Sequence, residues 1–191
     1  MLPVTPTLHT ERLILRPTIL ADASTIQQLF ADWDIIRQMS VNVPWPYPEG
    51  QALLHLEETV LPRLTTGEMW CWTITERERP EALIGMVDQT PNSTKGGHRA
   101  FWLGRPYWGR GYVTEAITAI QDWIFTATDL GDFIVMNAKS NPGSRRVKEK
   151  TGAELLRMES HEHHSGDTDA EVWIVRRDAW RKLRGLDGVP S

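Results

Sequence analysis

Apolar and polar residues change rhythm along the chain, and each rhythm predicts an element. Arg12-Leu-Ile-Leu-Arg16 alternates residue by residue and predicts a strand stopped by Pro17. Asp22 stands where it would cap a helix with apolar positions Ile26, Leu29 and Phe30, and Ile35, Ile36 and Met39 mark a second short helix. Pro44, Pro46 and Pro48 exclude a helix or central strand and predict a stiff loop over Val43–Pro48. Helical spacing returns from Glu49 to Leu64 through Leu53, Leu56 and Val60. Met69–Ile74 and Ala82–Val87 read as strands joined by a charged turn, Glu76–Glu81; after a polar turn, Pro91–Gly97, Arg99–Leu103 reads as another. Val113–Ala127 carries the clearest helical stripe, Ala116, Ile117, Ile120 and Ile124. Phe133–Met136 is a strand of buried type, Ser144–Lys150 a basic helix ended by Gly152, and Ala153–Met158 and Glu171–Val175 are two last strands. This order predicts a mixed α/β (α+β) domain with one principal sheet over residues 8–184, and flexible termini at 1–7 and 185–191.

Length agrees, since 191 residues suit one domain with a substantial core. A net charge of −4 supplies no overall attraction to nucleic acid, and no apolar run approaches the ~20 residues of a membrane span. The single cysteine, Cys71, rules out an intrachain disulfide and fits a reducing, cytoplasmic setting. The N-terminus lacks the basic-then-apolar order of a signal peptide. Nine tryptophans are expected mainly in the core.

Chemistry concentrates in Tyr107-Trp-Gly-Arg-Gly-Tyr-Val-Thr-Glu-Ala116. A helix start leaves about four N–H groups unpaired and carries partial positive charge. Glycines before it remove the Cβ atoms that would block an anion, so Trp108–Thr114 suits a phosphate or pyrophosphate, with Arg110 adding charge. A tight strand–helix turn would require the same glycines. Neither a nucleoside-triphosphate loop nor a G-x-G-x-x-G fingerprint is present.

The stretch resembles the pyrophosphate motif of the GNAT acetyltransferases, in the form found among ribosomal-protein N-terminal acetyltransferases and their small-molecule relatives. Against the general motif it departs at its ends, with Trp108 for Gln or Arg and Val113 for Gly or Ala. The resemblance extends to Thr10-Glu-Arg-Leu-Ile-Leu-Arg-Pro17, Ile84-Gly85, Asn141-Pro-Gly-Ser144 with Lys150-Thr-Gly152, and Arg177-Asp-Ala-Trp180. It implies a central, mostly antiparallel sheet splayed into a V that holds the thioester arm of acetyl-CoA. The resemblance also implies that acetyl passes directly to a primary amine, on a protein N-terminus or a small molecule, in a ternary complex without metal. Expected CoA contacts are Phe101, Trp102 and Leu103 on the strand, Trp108, Gly109, Arg110, Gly111, Tyr112, Val113 and Thr114 on the loop, then Asn141 and Arg146. Ser144 falls where relatives place a proton donor to the departing thiolate; its alternative role is a helix cap. His98 falls where relatives often carry a glutamate, which makes it a candidate base or an idle residue at a turn end.

Other residues keep alternatives open. Trp45 and Tyr47 would wall an acceptor pocket or plug the core. Arg145, Arg146, Lys148 and Lys150 would meet the CoA 3′-phosphate or form a solvated face. His161, His163 and His164 read as a flexible polar loop rather than a metal site, Cys71 as core, and Glu115 as a first-turn acid. Expected partners are acetyl-CoA and an amine, with no nucleic acid or membrane, for a monomer or homodimer. A catalytically silent acyl-CoA-binding module is the alternative, since it needs no base.

Overall fold

A computed structural model describes residues 3–90 and 98–186, with only the backbone of His98. Strands β1 (Leu8–His9), β2 (Leu13–Pro17), β3 (Trp70–Glu76), β4 (Arg79–Thr90) and β5 (His98–Leu103) pair in that order, each antiparallel to the next. Strands β6 (Phe133–Ala138), β7 (Ala153–Ser160) and β8 (Asp169–Val175) form a second antiparallel sheet, ordered β6-β8-β7. The single principal sheet expected from the pattern is therefore two. β5 and β6 touch, but no ladder joins them among the described residues. Periodicity reports which faces are buried, not which backbones are bonded. Here the Arg99 guanidinium lies 4.9 Å from the centre of the Phe133 ring, joining the strands through side chains.

β3 shows why the larger sheet is central. Its side chains alternate, and both faces are covered. Trp70, Trp72 and Ile74 enter the main core with Ala116, Ile117, Ile120 and Ile124 of α5 (Tyr112–Ala127). Trp123 meets Trp70 and Trp72 edge-on, with ring centroids 5.0 and 5.7 Å away. Cys71 faces a second cluster with α1 (Ala23–Phe30), α3 (Gln51–His55) and the π-helical segment Leu56–Val60. The π segment leads into α4 (Leu61–Thr66), whose Pro62 has no N–H to continue the α-helical ladder. α2 (Trp33–Ile36) follows α1, α6 (Pro142–Lys150) follows β6, and α7 (Arg177–Leu183) follows β8.

Three details differ from the pattern. Asp22 does not cap α1; its carboxylate accepts from Arg16, from the Ile19 N–H and from Thr73. α6 begins two residues early because Asn141 is the cap, its Oδ1 accepting the Ser144 N–H at 2.9 Å. Residues 3–7, expected as a free arm, are held where the Trp70 and Trp72 indoles donate to Pro3 O (2.8 Å) and Pro6 O (2.9 Å). Among the described residues no helix is long and apolar enough to cross a membrane.

Candidate active site

The glycine loop leads directly into α5. Gly109 (φ +75°) and Gly111 (φ +80°) are both left-handed, a conformation that favours glycine. A Cβ at Gly109 would meet nothing within 4 Å, so it would project into open space at the helix start. Gly111 O accepts the Glu115 N–H at 3.1 Å, leaving Tyr112, Val113 and Thr114 with first-turn N–H groups that no carbonyl of the helix can reach. The loop's side chains turn aside. Trp108 Nε1 donates to Leu103 O (2.8 Å), Tyr112 hydroxyl donates to Glu76 (2.6 Å), and Arg110 lies 3.8 Å from Glu76 and over the Tyr107 ring. Glu115 serves as a strap rather than a dipole partner alone. It accepts from Thr10 Oγ1 (2.6 Å), Arg12 N (2.9 Å) and Arg12 Nε (2.7 Å). The Thr10-Glu-Arg and Thr114-Glu-Ala segments thus form one interlock.

β5 presents an open edge beside the loop. Gly104 N–H donates to Ile84 O at 2.9 Å, which fixes the alternation of the β4–β5 ladder. Ala100 and Trp102 exchange backbone bonds with β4, while Arg99, Phe101 and Leu103 turn theirs toward β6. Of these, Leu103 O already receives the Trp108 indole.

A cleft of about 160 Å³ opens where β5 and β6 part. Arg99–Phe101 form one wall, Met136–Ala138 with Asn141 and Ser144 the other, and Gln38–Ser40 with His161 and His163 the rim. Ser144 Oγ accepts from Lys148 Nζ at 2.8 Å, one turn along α6. Burial, reinforced by Arg99, pushes the Lys148 ammonium down to about 7. Burial likewise brings Arg99 down to about 9, against the opposing charge of Asp88. Arg99 donates through Nε to Gln89 (2.9 Å) and through Nη1 to Gln121 (3.4 Å), and Gln121 donates on to Thr151 O (3.1 Å). His163 Nδ1 lies 3.0 Å from His161 O. A carbonyl can only accept, so Nδ1 carries the hydrogen and Nε2 keeps the lone pair. Burial first, and then His161, hold the His163 imidazole below its usual value.

The structure regroups the residues singled out in the sequence. Phe101, Asn141 and Ser144 meet in the cleft. Trp102 faces away, its ring 5.2 Å from Phe30 in the second cluster. Trp45 and Tyr47 do not line the cleft: Trp45 packs on Trp33 (5.0 Å) and Tyr47 edge-on against Phe30 (5.1 Å). Arg146 is exposed, but Lys148 is buried and Arg145 pairs with buried Glu171, so the basic helix is not one solvated face. His161 and His163 are not a free loop; a Ser40–His163 bridge ties them to the rim, while His164 Nε2 bonds Val43 O at 2.6 Å. Among the described residues no cluster of three His, Cys, Asp or Glu could hold a metal. Cys71 is buried, which pushes its thiol well up and leaves it inert. The His98 side chain lies outside the described residues; its backbone opens β5. Sequence reasoning did not single out Arg99, and it read Lys148 as one of a basic run and His163 as part of a polar loop, not as groups of the cleft. Two of them had a signal: Arg99 shares a strand face with Phe101 and Leu103, and Lys148 follows Ser144 by one helical turn, so both are charges at buried phases.

Residues 12–154 match the acetyltransferase (GNAT) domain family. The chain belongs to that family. Its fold and enzyme class are those of the GNAT acetyltransferases. An uncharacterised N-acetyltransferase, p20, of Bacillus licheniformis is 27% identical over 128 residues, which are 65% of this chain and 68% of that protein. By structure the chain is similar to the ribosomal-protein-S5-alanine acetyltransferase of Vibrio fischeri (TM-score 0.77, 17% identity, 92% of this chain and 98% of that one). It is also similar to the spermidine N-acetyltransferase of Vibrio cholerae in complex with CoA and spermine (TM-score 0.73, 18% identity, 90% and 99%). At these identities the structural likeness is one of fold.

Proposed function

We infer that this GNAT acetyltransferase moves acetyl from acetyl-CoA directly to a primary amine in a ternary complex. The observation that carries the inference is the open edge of β5 facing Ser144 across the cleft, on the strand that leads into the glycine loop and α5. The loop N–H groups suit the pyrophosphate, and exposed Arg146 suits the 3′-phosphate. A free Phe101 N–H or C=O suits the amide-bearing arm of CoA. An N–H on that edge would also polarise the thioester carbonyl as it becomes tetrahedral.

Ser144, hydrogen-bonded to Lys148 and lining the cleft, then protonates the departing thiolate. The attacking amine must first be neutral. His163, which lines the cleft and keeps the lone pair on Nε2, is our first candidate to take the proton as the C–N bond forms; His98 is the second. Acceptors named in the structural relatives, a ribosomal-protein alanine and spermidine, define the panel to screen. One observation favours the alternative of a silent acyl-CoA-binding module: among the described residues no carboxylate lines the cleft. Thiol release from acetyl-CoA across N-terminal peptides, polyamines, amino acids and aminoglycosides, beside a thermal shift with CoA, decides between them. Turnover with any amine supports the enzyme; a CoA-dependent shift without turnover on any of them supports the module.

A further inference from the structure

We propose that Lys148 is a positioning residue that works through Ser144: its ammonium aims the serine hydroxyl into the cleft and replaces the proton the hydroxyl gives to the CoA thiolate. The proposal rests on the reading that Ser144 faces the thioester. Lys148 follows Ser144 by one turn, and helical side chains lean toward the N-terminus, so Nζ reaches back to Oγ at 2.8 Å. That bond occupies a lone pair of Oγ and leaves the hydroxyl hydrogen free to point elsewhere. No carboxylate pairs with Lys148 among the described residues. The groups facing it are Arg99 and the Phe101 ring of β5, the latter 5.7 Å from Nζ, with Gln121 of α5 engaged on Arg99. On its own helix, Arg145 is engaged by Glu171 of β8. An apolar side chain would fill this position without the desolvation cost of an ammonium, so packing alone does not call for lysine.

Acidity explains what the lysine adds. A serine hydroxyl is a far weaker acid than a thiol, whose usual value is about 8.5, so serine alone is a poor net donor. An ordinary lysine, at about 10.4, would not help. With burial and Arg99 bringing Lys148 to about 7, its ammonium surrenders a proton to a thiolate readily. As the C–S bond breaks, its electron pair leaves on sulfur. The Ser144 O–H proton passes to sulfur, and a Lys148 N–H proton passes to Oγ. Lys148 is left neutral and regains its proton from solvent.

The test compares Lys148→Met, Lys148→Arg, Ser144→Ala and the Lys148→Met/Ser144→Ala double variant, with kcat and the KM for acetyl-CoA measured against pH. Expected for wild type is a kcat that falls as pH rises through about 7, because the donor form is lost. Lys148→Met and Ser144→Ala should each lower kcat on the order of 10²-fold, leave KM alone and abolish that limb. The double variant should be no worse than either single one. Arginine keeps the charge but not the labile proton, so Lys148→Arg should stay slow. Multiplying defects, a surviving limb in Lys148→Met, rescue by arginine, or acetyl found covalently on Ser144 would each overturn the proposal. A second measurement needs no turnover. The ¹³Cε signal of Lys148 is titrated by NMR with bound CoA and with bound CoA lacking its thiol. A midpoint displaced by the thiol is expected, and identical titrations overturn the relay. If no amine is acetylated, the enzymatic reading fails while this arm still decides whether Lys148 senses the sulfur.

Discussion

The glycine loop and the β5–β6 cleft are built from opposite materials. The loop is contiguous and uses backbone: two left-handed glycines and the first N–H groups of α5, with Trp108, Arg110 and Tyr112 turned to other tasks. The cleft is assembled from side chains of β5, β6, α6 and two rim segments far apart in sequence. A backbone site depends on geometry and tolerates few residue types. A side-chain site depends on mutual burial, and here that burial shifts Lys148, Arg99 and His163 away from their usual acidities. The loop should therefore fail through binding, and the cleft through chemistry and pH.

The largest effect should come from the loop. Gly109→Ala is expected to raise the KM for acetyl-CoA on the order of 10²-fold, equivalent to about 2.7 kcal/mol, with a much smaller change for the amine. Gly50→Ala is the control, because Gly50 is equally left-handed (φ +76°) and its Cβ would also meet nothing within 4 Å. Equal losses of CoA affinity in the two variants would reduce Gly109 to a turn residue.

Next comes the rim of the cleft. As a base, His163 acts in its neutral form, so the rate should rise through a value below about 6.5, the direction burial dictates. His163→Gln should remove that limb and cost roughly tenfold or more in kcat. Acceptors of two different pKa values separate this limb from titration of the amine. A limb that persists in His163→Gln and disappears in His98→Ala would move the role to His98.

A smaller effect concerns the strap between the two regions. Burial alone would raise the Glu115 carboxyl, but bonds from Thr10 and Arg12 outweigh it and hold the group below its usual range. A depressed folded value means the stabilisation is present above the unfolded value of about 4.3 and is lost as pH falls through the folded one. Arg12 is half exposed, so solvent screening reduces the strap's contribution to about 1 kcal/mol. Thermal melts of Glu115→Gln should lie a few degrees below wild type at pH 7 and converge with it in acid. The smallest change should be that of Arg146→Ala. It should raise the KM for acetyl-CoA severalfold and leave dephospho-CoA affinity unchanged, since only a 3′-phosphate would miss the charge. Equal losses with both cofactors would remove Arg146 from the site.

Much of this molecule was legible from local pattern. The stripe on α5 is buried as its spacing requires, and β3 alternates between two cores because strand side chains must. Both glycines of the loop adopt the left-handed backbone that their place before a helix suggested. These features follow from near neighbours along the chain, which is the range over which periodicity and glycine geometry act. Tertiary structure alone decided that the sheet divides between β5 and β6, that Trp45 and Tyr47 pack on Trp33 and Phe30 rather than line the opening, and that His163 borders it. It also turned Lys148 from one member of a basic run into a buried group bonded to Ser144. Which charge loses its water depends on elements that meet only after folding. The desolvation that sets the acidity of Lys148 comes with β5 and α6 packed together, and no local pattern in the chain carries it.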